Sequence, residues 1–319
     1  MPLSIRRLLA SVALLAGAAS LSFAAPAPVS VDLTGLHAIQ KFGLDEKIDD
    51  HVYGFVDGVA DGKAFEENIP ADGKPLEAGP KKPAITEKTA QTLWKGDLND
   101  GEFAVVTVLF FQGEGKDAAA VKKFRDDLLA AEKKTPELAK KTLTVEEFKA
   151  LCGDIVKKQF AVGTLVKNEQ AVVSKVKETF ARGKTADHYG GLFNVIVWND
   201  GTTVRKRVVP VGLTFGEQYG NDVKIYTKLK FTRNNVFLKD EKGEWSTDQL
   251  APLSDDEKTI HVKMLETELI PGKDGNPIRK TTDYLADIQV KNNGQPTKWK
   301  LESEITGVDD IHTYWEYAD

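Results

Sequence analysis

The sequence predicts a mainly β protein of the α+β class, an antiparallel β-sandwich that carries a helical insertion. Residues 103–111 and 192–198 are dense apolar segments rich in β-branched and aromatic side chains, as in central strands. Between them, in residues 116–183, the apolar positions repeat with a helical period instead of every second residue. After residue 187, short alternating segments are separated by turn residues, which is typical of antiparallel sandwiches.

Residues 1–24 have the pattern of a secretory signal peptide. Two arginines precede an apolar run from Leu8 to Leu21, and small residues flank a cleavage position near Ala24. The run is shorter than the ~20 residues that span a bilayer, and no second run of that length follows. We therefore expect a secreted or periplasmic protein with no transmembrane segment in the mature chain.

The first part of the mature chain is predicted to form strands around a long loop. Residues 51–57 alternate apolar and polar side chains, which indicates a strand. Residues 68–92 contain four prolines and several lysines, which predicts a surface loop without regular structure.

The middle part is predicted to form three amphipathic helices. Asp117 is predicted to cap the first helix, and Thr144 with Glu147 forms a capping box for a second helix that runs to Phe160. Asn168 is predicted to start the third. Their apolar positions are predicted to form one buried cluster on the sheet: Val121, Phe124, Leu128, Phe148, Leu151, Ile155, Val172, Val176 and Phe180.

The last part returns to strands. Asn199-Asp200-Gly201 separates two strand segments and is typical of a hairpin turn. Further strands are predicted at 224–231, 260–270, 283–291 and 298–305. We expect one sandwich domain over 25–235 with the insertion at 116–183. A β-rich part at 236–319 then belongs either to the same domain or to a second small one.

Charge and residue types exclude several functional classes. The chain has 43 Lys and Arg against 48 Asp and Glu, a net charge of -5, which argues against nucleic acid as a partner. The only cysteine, Cys152, excludes a disulfide scaffold and a cysteine-based zinc site. The five histidines never occur at metal-binding spacings, and no local catalytic motif is present. These absences favour a protein that is not an enzyme.

Acidic loops are the candidates for a metal site. Calcium takes about six to eight oxygen ligands, and several loops at one end of a sandwich can supply them together. The candidate ligands are Asp49, Asp50, Asp97, Asp100 and Asp187. The alternative is that these aspartates stabilise turns through their own backbone hydrogen bonds. No other cofactor is indicated.

Three motifs give the chain a family resemblance. Residues 49–53 (DDHVY), 93–96 (LWKG, with Gly101-Glu102) and 187–191 (DHYGG) are similar to segments of secreted β-sandwich proteins of the C2-like type, over residues 45–232. The resemblance implies a sandwich fold. Such domains often have an Asp-Asp-x-x-Gly strand entry, and here His188 stands at its second position, which argues against calcium carriage. The resemblance implies no activity, because the proteins in question are uncharacterised and a fold alone does not define a function.

Three functional hypotheses follow from the sequence. The first is a non-enzymatic binding or structural protein outside the cytoplasm, with a small molecule, a glycan or a protein as ligand. The second is a hydrolase whose carboxylates come from separate loops. The third is a calcium-dependent binder of membranes or glycans, in which the aromatic residues Trp299, Tyr314, Trp315 and Tyr317 could stack on sugars.

Overall fold

The computed structural model of the chain describes residues 25–41, 50–78, 83–153, 155–156, 159–160, 163–180, 184–211, 222–226, 238–239, 245–246, 258–271, 277–298, 300–304 and 313–316. The predicted signal peptide at 1–24 lies outside these residues. Within them, no helix combines the length and the apolar character that crossing a bilayer requires.

Antiparallel strands dominate the described chain. The strands are β1 (Ala27–Lys41), β2 (Asp50–Ala60), β3 (Lys63–Ile69), β4 (Leu76–Ala78), β5 (Gln91–Leu98), β6 (Phe103–Gln112), β7 (Ile155–Val156), β8 (Gln159–Phe160), β9 (His188–Asn199), β10 (Val204–Val211), β11 (Asp222–Tyr226), β12 (Leu238–Lys239), β13 (Trp245–Ser246), β14 (Ile260–Pro271), β15 (Pro277–Asn292), β16 (Gln295–Pro296), β17 (Lys300–Glu304) and β18 (Thr313–Glu316). The helices are α1 (Ala118–Glu132), α2 (Val145–Cys152) and α3 (Thr164–Thr179), with 3-10 turns at Glu87–Thr89 and Pro136–Ala139. The predicted β-rich α+β fold with a helical insertion is confirmed.

The strands form two main sheets. The first has the order β11-β14-β15-β1-β5, and β16 pairs with β15. The second has the order β17-β18-β10-β9-β6-β2-β3, and β4 pairs with β2. Because β15 pairs with β1, strands from the predicted C-terminal part complete the same sheet as the N-terminal strand.

The central strand β6 is buried on both faces, and its side chains alternate between two apolar clusters. Ala104, Val106, Val108 and Phe110 belong to an inter-sheet cluster, in which β1, β14 and β15 also take part. Phe103, Val105, Leu109 and Phe111 belong to a helix-side cluster. The two-residue period of a strand produces this division. The inter-sheet cluster supports the face-to-face packing of the predicted sandwich, which itself stays a prediction.

The helix-side cluster holds the insertion on the second sheet. It contains these predicted residues: Val121, Phe124, Leu128, Phe148, Leu151, Val176 and Phe180. Val172 is only partly buried against the cluster, and the next residue, Val173, is buried within it. The side chain of Ile155 lies outside the described residues. The prediction of one buried cluster on the sheet is therefore confirmed for seven residues: Val121, Phe124, Leu128, Phe148, Leu151, Val176 and Phe180.

Two helix boundaries differ from the predicted ones. Helix α2 begins at the predicted capping box but ends at Cys152, because Gly153 adopts a positive φ of 86° and turns the chain away. Helix α3 begins four residues before the predicted start, after Gly163. Asn168 lies inside α3, and its amide donates to Thr135 Oγ1 (2.8 Å) instead of capping the helix.

The predicted loop at 68–92 and the predicted cap at Asp117 also need correction. The loop contains β4, which pairs with the start of β2, and its last residues already belong to β5. Asp117 occupies the N-cap position of α1, but its side chain makes no capping hydrogen bond. Its carboxylate instead accepts a hydrogen bond from the backbone N–H of Asp187 (2.7 Å).

Candidate functional site

A cleft of about 270 Å³ opens between β2 and the first turns of α1. The strand contributes Tyr53, Gly54 and Phe55 to its lining, and the helix contributes Arg125 and Lys122. Ala118 and Val121 also come from the helix, and the other lining residues come from the end of β3 and from loops at the same edge: Asn68, Gly73, Pro75 and Gly115. Ligand sites are typically concave and mainly apolar with a few fixed polar groups, and this cleft has that character.

Glycine 54 makes the floor of the cleft possible. A Cβ atom at this position would lie 2.1 Å from the carbonyl oxygen of Leu109 on β6, and 3.0 Å from a ring carbon of Phe110. Any side chain would therefore push β2 away from β6. A side chain here would lie on the inter-sheet face, with Val52 and Val56, so the glycine keeps β2 paired with β6 beneath the cleft.

Arg125 is the charged group with the most defined position in the cleft. Its Nε donates to Asp57 Oδ1 (2.7 Å), and its Nη2 contacts Asp57 Oδ1 (2.5 Å) and Glu66 Oε2 (3.2 Å). The guanidinium lies over the ring of Phe55, 4.7 Å from the ring centre, in a cation–π contact. The side chain is only 17% exposed. Its Nη1 group makes no hydrogen bond to the described residues.

Tyr53 connects the cleft to the point where the insertion leaves the sheet. Its hydroxyl donates to Asp187 Oδ2 (3.2 Å). Burial, followed by the negative charge of Asp187, raises the pKa of Tyr53 above its usual range, so the hydroxyl stays protonated. Asp187 is fully buried and also accepts from the backbone N–H groups of Gly115 (3.0 Å) and Asp117 (2.6 Å).

Behind the cleft, three polar side chains form a row across three neighbouring strands. Asp57 on β2 pairs with Thr107 on β6, and Thr107 pairs with Asn194 on β9. In each strand, the residues two positions before and after the polar residue belong to, or pack against, the helix-side cluster. The three polar residues therefore share the helix side of the sheet. We call these residues the polar row. Each is fully buried, so each needs a partner from the helices.

The helices supply carboxyl groups to the polar row. Glu132 Oε1 on α1 lies 2.8 Å from Thr107 Oγ1, which lies 2.7 Å from Asn194 Oδ1. Asn194 Nδ2 donates to Glu169 Oε2 on α3 (2.8 Å). The carboxyl groups of Glu132 and Glu169 are neighbours, and the negative charge of Glu132 acts on Glu169. Two helices and two strands thus meet at one polar contact.

Burial controls the protonation of these acids. Removal from water is the largest cause that raises the pKa of Glu132 to about 7, and the charge of Asp57 adds to it. The pKa of Glu169 is raised well above its usual range by burial and by the neighbouring Glu132. For Asp57, burial outweighs the opposing effect of Arg125, and the pKa rises to about 6.

This pair of glutamates does not face the cleft. Glu132 is 3% exposed and Glu169 is 0% exposed, and neither contributes to the lining. A catalytic acid must contact its substrate, directly or through one water. The pair therefore has the perturbed pKa values of an active site but not the access, and we assign it to the interior of the protein.

The structure does not bring the described calcium candidates together. Asp97 and Asp100 are exposed near the start of β6, while Asp187 is buried beside its end. The ten residues of β6 separate these positions by about 33 Å. Asp49, and the side chain of Asp50, lie outside the described residues. The calcium site stays a prediction, without support from these positions.

Other candidates from the sequence have structural positions or are not described. Cys152 is buried in the helix-side cluster, as expected for a small core residue. His51 on β2 and His188 on β9 are partly buried, and β6 lies between their two strands. His312 and the side chains of the predicted aromatic platform, Trp299, Tyr314, Trp315 and Tyr317, lie outside the described residues.

Sequence reasoning missed Arg125 and the buried acids, although a signal was present. Glu132 continues the apolar stripe of α1, four residues after Leu128, and Glu169 stands between the buried Val166 and Val173 of α3. A carboxylate at a core position of a helix is costly unless it has partners. Such positions therefore indicate a buried polar contact.

In the part of the chain that the structure describes, no group of three or more histidine, cysteine, aspartate or glutamate side chains is placed to hold a metal ion. Comparison of the chain with protein-family models, with curated proteins and with solved structures finds no match.

Proposed function

We propose that this protein acts outside the cytoplasm as a non-enzymatic binding protein, and that it takes a small, uncharged polar molecule into the cleft between β2 and α1. The observation that carries the proposal is the position of Arg125. Its guanidinium is fixed by Asp57 and Phe55, and its Nη1 group, which makes no hydrogen bond to the described residues, would donate to an acceptor of a ligand. The pattern of residues 1–24 supports the location.

The charges around the cleft favour an uncharged ligand. Arg125 is paired with Asp57 and Glu66, and Lys122 is paired with Asp126 (3.0 Å). Each cation thus has an acidic partner, so the site offers no uncompensated charge to an anion. The apolar side of the ligand would lie against Phe55 and Val121, and its carbonyl or hydroxyl oxygen would accept from Arg125.

A hydrolase receives less support from the geometry. Glu132 and Glu169 are acids from separate elements that converge, as such an enzyme requires. Their carboxyl groups are enclosed by the helix-side cluster, and a substrate in the cleft would not reach them.

A pair of tryptophan variants tests the proposal. Ala118 is exposed at the mouth of the cleft, and Ala119 is exposed on the same helical turn but does not line the cleft. Ala118→Trp should fill the mouth, while Ala119→Trp serves as the matched control. The melting temperature is measured with a panel of neutral sugars and small amides, and with acetate, succinate and phosphate as charged comparators.

We expect at least one neutral compound to raise the melting temperature of the wild type and of Ala119→Trp, because a ligand stabilises the state that binds it. Ala118→Trp should show no such rise. The proposal would be contradicted if the anions raised the melting temperature more than the neutral compounds did, or if the rise were equal in Ala118→Trp and Ala119→Trp. Turnover of esterase, peptidase or glycosidase substrates that is lost only in Ala118→Trp would show an enzyme instead.

A further inference from the structure

The contact between the helices and the polar row forms a closed ring of four side chains. Going around the ring, Glu132 contacts Thr107 (2.8 Å), Thr107 contacts Asn194 (2.7 Å) and Asn194 contacts Glu169 (2.8 Å). Glu169 is in turn the neighbour of Glu132, whose negative charge acts on it, and this pair of acids closes the ring. All four residues are buried, so each of the three contacts that involve Thr107 or Asn194 must be a hydrogen bond with a proton in it.

Counting protons shows that the ring is short of donors when both acids are ionised. A threonine hydroxyl has one hydrogen, and an ionised carboxylate only accepts. If Thr107 donates to Asn194 Oδ1, it cannot also donate to Glu132, and the 2.8 Å contact between them has no proton. A proton on Glu132 would complete this contact, because the acid then donates to the hydroxyl oxygen.

Turning the amide of Asn194 by 180° moves the required proton from Glu132 to Glu169, but a proton is still required. Asn194 then donates to Thr107, and Thr107 donates to Glu132, but the amide oxygen faces Glu169 Oε2. Glu169 must now carry the proton. In either orientation, the one proton on the pair also removes the repulsion that two ionised carboxylates would exert on each other.

We propose that the folded protein holds a proton on the pair Glu132 and Glu169, and that this proton is a pH-sensitive latch joining α3 to α1 and to the sheet. When the proton leaves, two negative charges face each other across the interface between the helices. The contact then loses donors and gains repulsion, and α3 is released first because Glu169 is its link to the ring.

Among the described residues around the pair, no cation is placed to replace the proton. From β2, Asp57 faces the pair with a negative charge that is already paired with Arg125 of α1. From β9, Tyr189 lies close enough for its pKa to be raised by Glu169. Strand β6 contributes Thr107 alone. Arg207 of β10 donates instead to the carbonyl oxygen of Gly153, at the end of α2.

The direction of the pH effect follows from linkage. In the unfolded chain both acids titrate near their ordinary pKa of about 4.3, so above that pH the folded state binds more protons than the unfolded state. Stability therefore falls as pH rises toward the raised pKa values of the folded protein. A salt-bridged carboxylate usually has the opposite effect, because its contribution to stability is lost as pH falls.

Glu169→Gln is the decisive variant, because an amide donates without a titrating proton. The exposed Glu178 on the same helix supplies the matched control Glu178→Gln. Between pH 7 and 8, we expect the unfolding equilibrium constant of the wild type and of the control to rise about tenfold. Glu169→Gln should show a nearly flat profile. Over the same pH range, hydrogen exchange should show that residues 164–179 lose protection in the wild type and in Glu178→Gln, but not in Glu169→Gln.

Infrared absorption of the wild type keeps the proposal testable if Glu169→Gln does not fold. A buried protonated carboxyl group absorbs apart from ionised carboxylates, and its band should be present at pH 7 and weaken as pH rises. Absence of that band at pH 7 would overturn the proposal. So would a pH profile of Glu169→Gln with the same slope as the wild type.

Discussion

Asp117 and Asp187 hold each other through two reciprocal hydrogen bonds. The backbone N–H of Asp117 donates to Asp187 Oδ2 (2.6 Å), and the backbone N–H of Asp187 donates to Asp117 Oδ2 (2.7 Å). Asp117 opens the helical insertion and Asp187 closes it. The two ends of the insertion are therefore joined at the edge of the sheet, and a residue that the sequence presented as a metal ligand has a structural role.

Asp187→Ala should lower the free energy of unfolding by about 3 kcal/mol. The change removes the acceptor of Tyr53, Gly115 and Asp117 and leaves buried donors without a partner. The exposed Asp97 offers a control, and Asp97→Ala should change stability by less than about 0.5 kcal/mol. Urea unfolding measures both values. Equal losses would show that Asp187 does not hold the insertion.

Calcium should leave the wild type unchanged. Asp97 and Asp100 lie about 33 Å from Asp187, a distance at which the three cannot share one ion. We expect the same melting temperature with millimolar calcium and with EDTA. A rise with calcium that Asp187→Ala abolishes, and Asp97→Ala does not, would place a site at the end of β6 after all.

Gly54→Ala should be strongly destabilising, by about 3 kcal/mol or more. The added methyl group would lie 2.1 Å from the carbonyl oxygen of Leu109, and a backbone atom in a central strand cannot move away cheaply. Gly294→Ala is a suitable comparison, since its Cβ meets nothing within 4 Å. Its positive φ of 73° should cost only about 1 kcal/mol. Thermal unfolding of both variants tests the difference, and similar losses would contradict the packing argument.

Arg125→Met should destabilise the protein in a pH-dependent manner. At pH 7 the change leaves the buried carboxylate of Asp57 without its cation, at a cost of about 3 kcal/mol. The pKa of Asp57 is raised to about 6, so at pH 5 this group is mainly protonated and has less need of the cation. The loss should therefore be smaller at pH 5 than at pH 7.

The double variant Asp57→Leu/Arg125→Met provides the control for this prediction. It removes the charge together with its partner, and should be more stable at pH 7 than Arg125→Met alone. Denaturant unfolding at the two pH values gives all the required differences. The single variant Asp57→Leu completes the comparison. If the double variant loses as much stability as the two single variants lose together, Asp57 and Arg125 are not coupled.

Features that depend on neighbouring residues could be predicted from the sequence. The capping box of Thr144 and Glu147 forms as expected, with Glu147 N–H donating to Thr144 Oγ1 (3.3 Å) and Glu147 Oε2 accepting from Thr144 N–H (2.8 Å). The turn at 199–201 joins β9 and β10 as expected, because Asp200 accepts from the N–H groups that follow it. These signals need only a few consecutive residues.

The candidate sites could not be predicted in this way because their parts are far apart in the chain. Asp57 meets Arg125, and Glu132 meets Glu169, only after β2, β6 and the two helices have packed. A strand pattern shows which face a residue occupies but not which residue lies opposite. The calcium hypothesis had the same difficulty, since it required loops to share an end of the sheet.

The neighbouring strands β6 and β9 are joined through the whole insertion, and this has a consequence for the order of folding. Gln112 pairs with His188, so no tight turn can bring the two strands together. Closing so long a connection costs chain entropy, whereas β9 and β10 meet across a short turn. We therefore expect the β9–β10 hairpin and the helices to form early, with the centre of the sheet joining last. Until then both centre strands expose open hydrogen-bonding edges, and the nascent chain is most prone to aggregate at that stage.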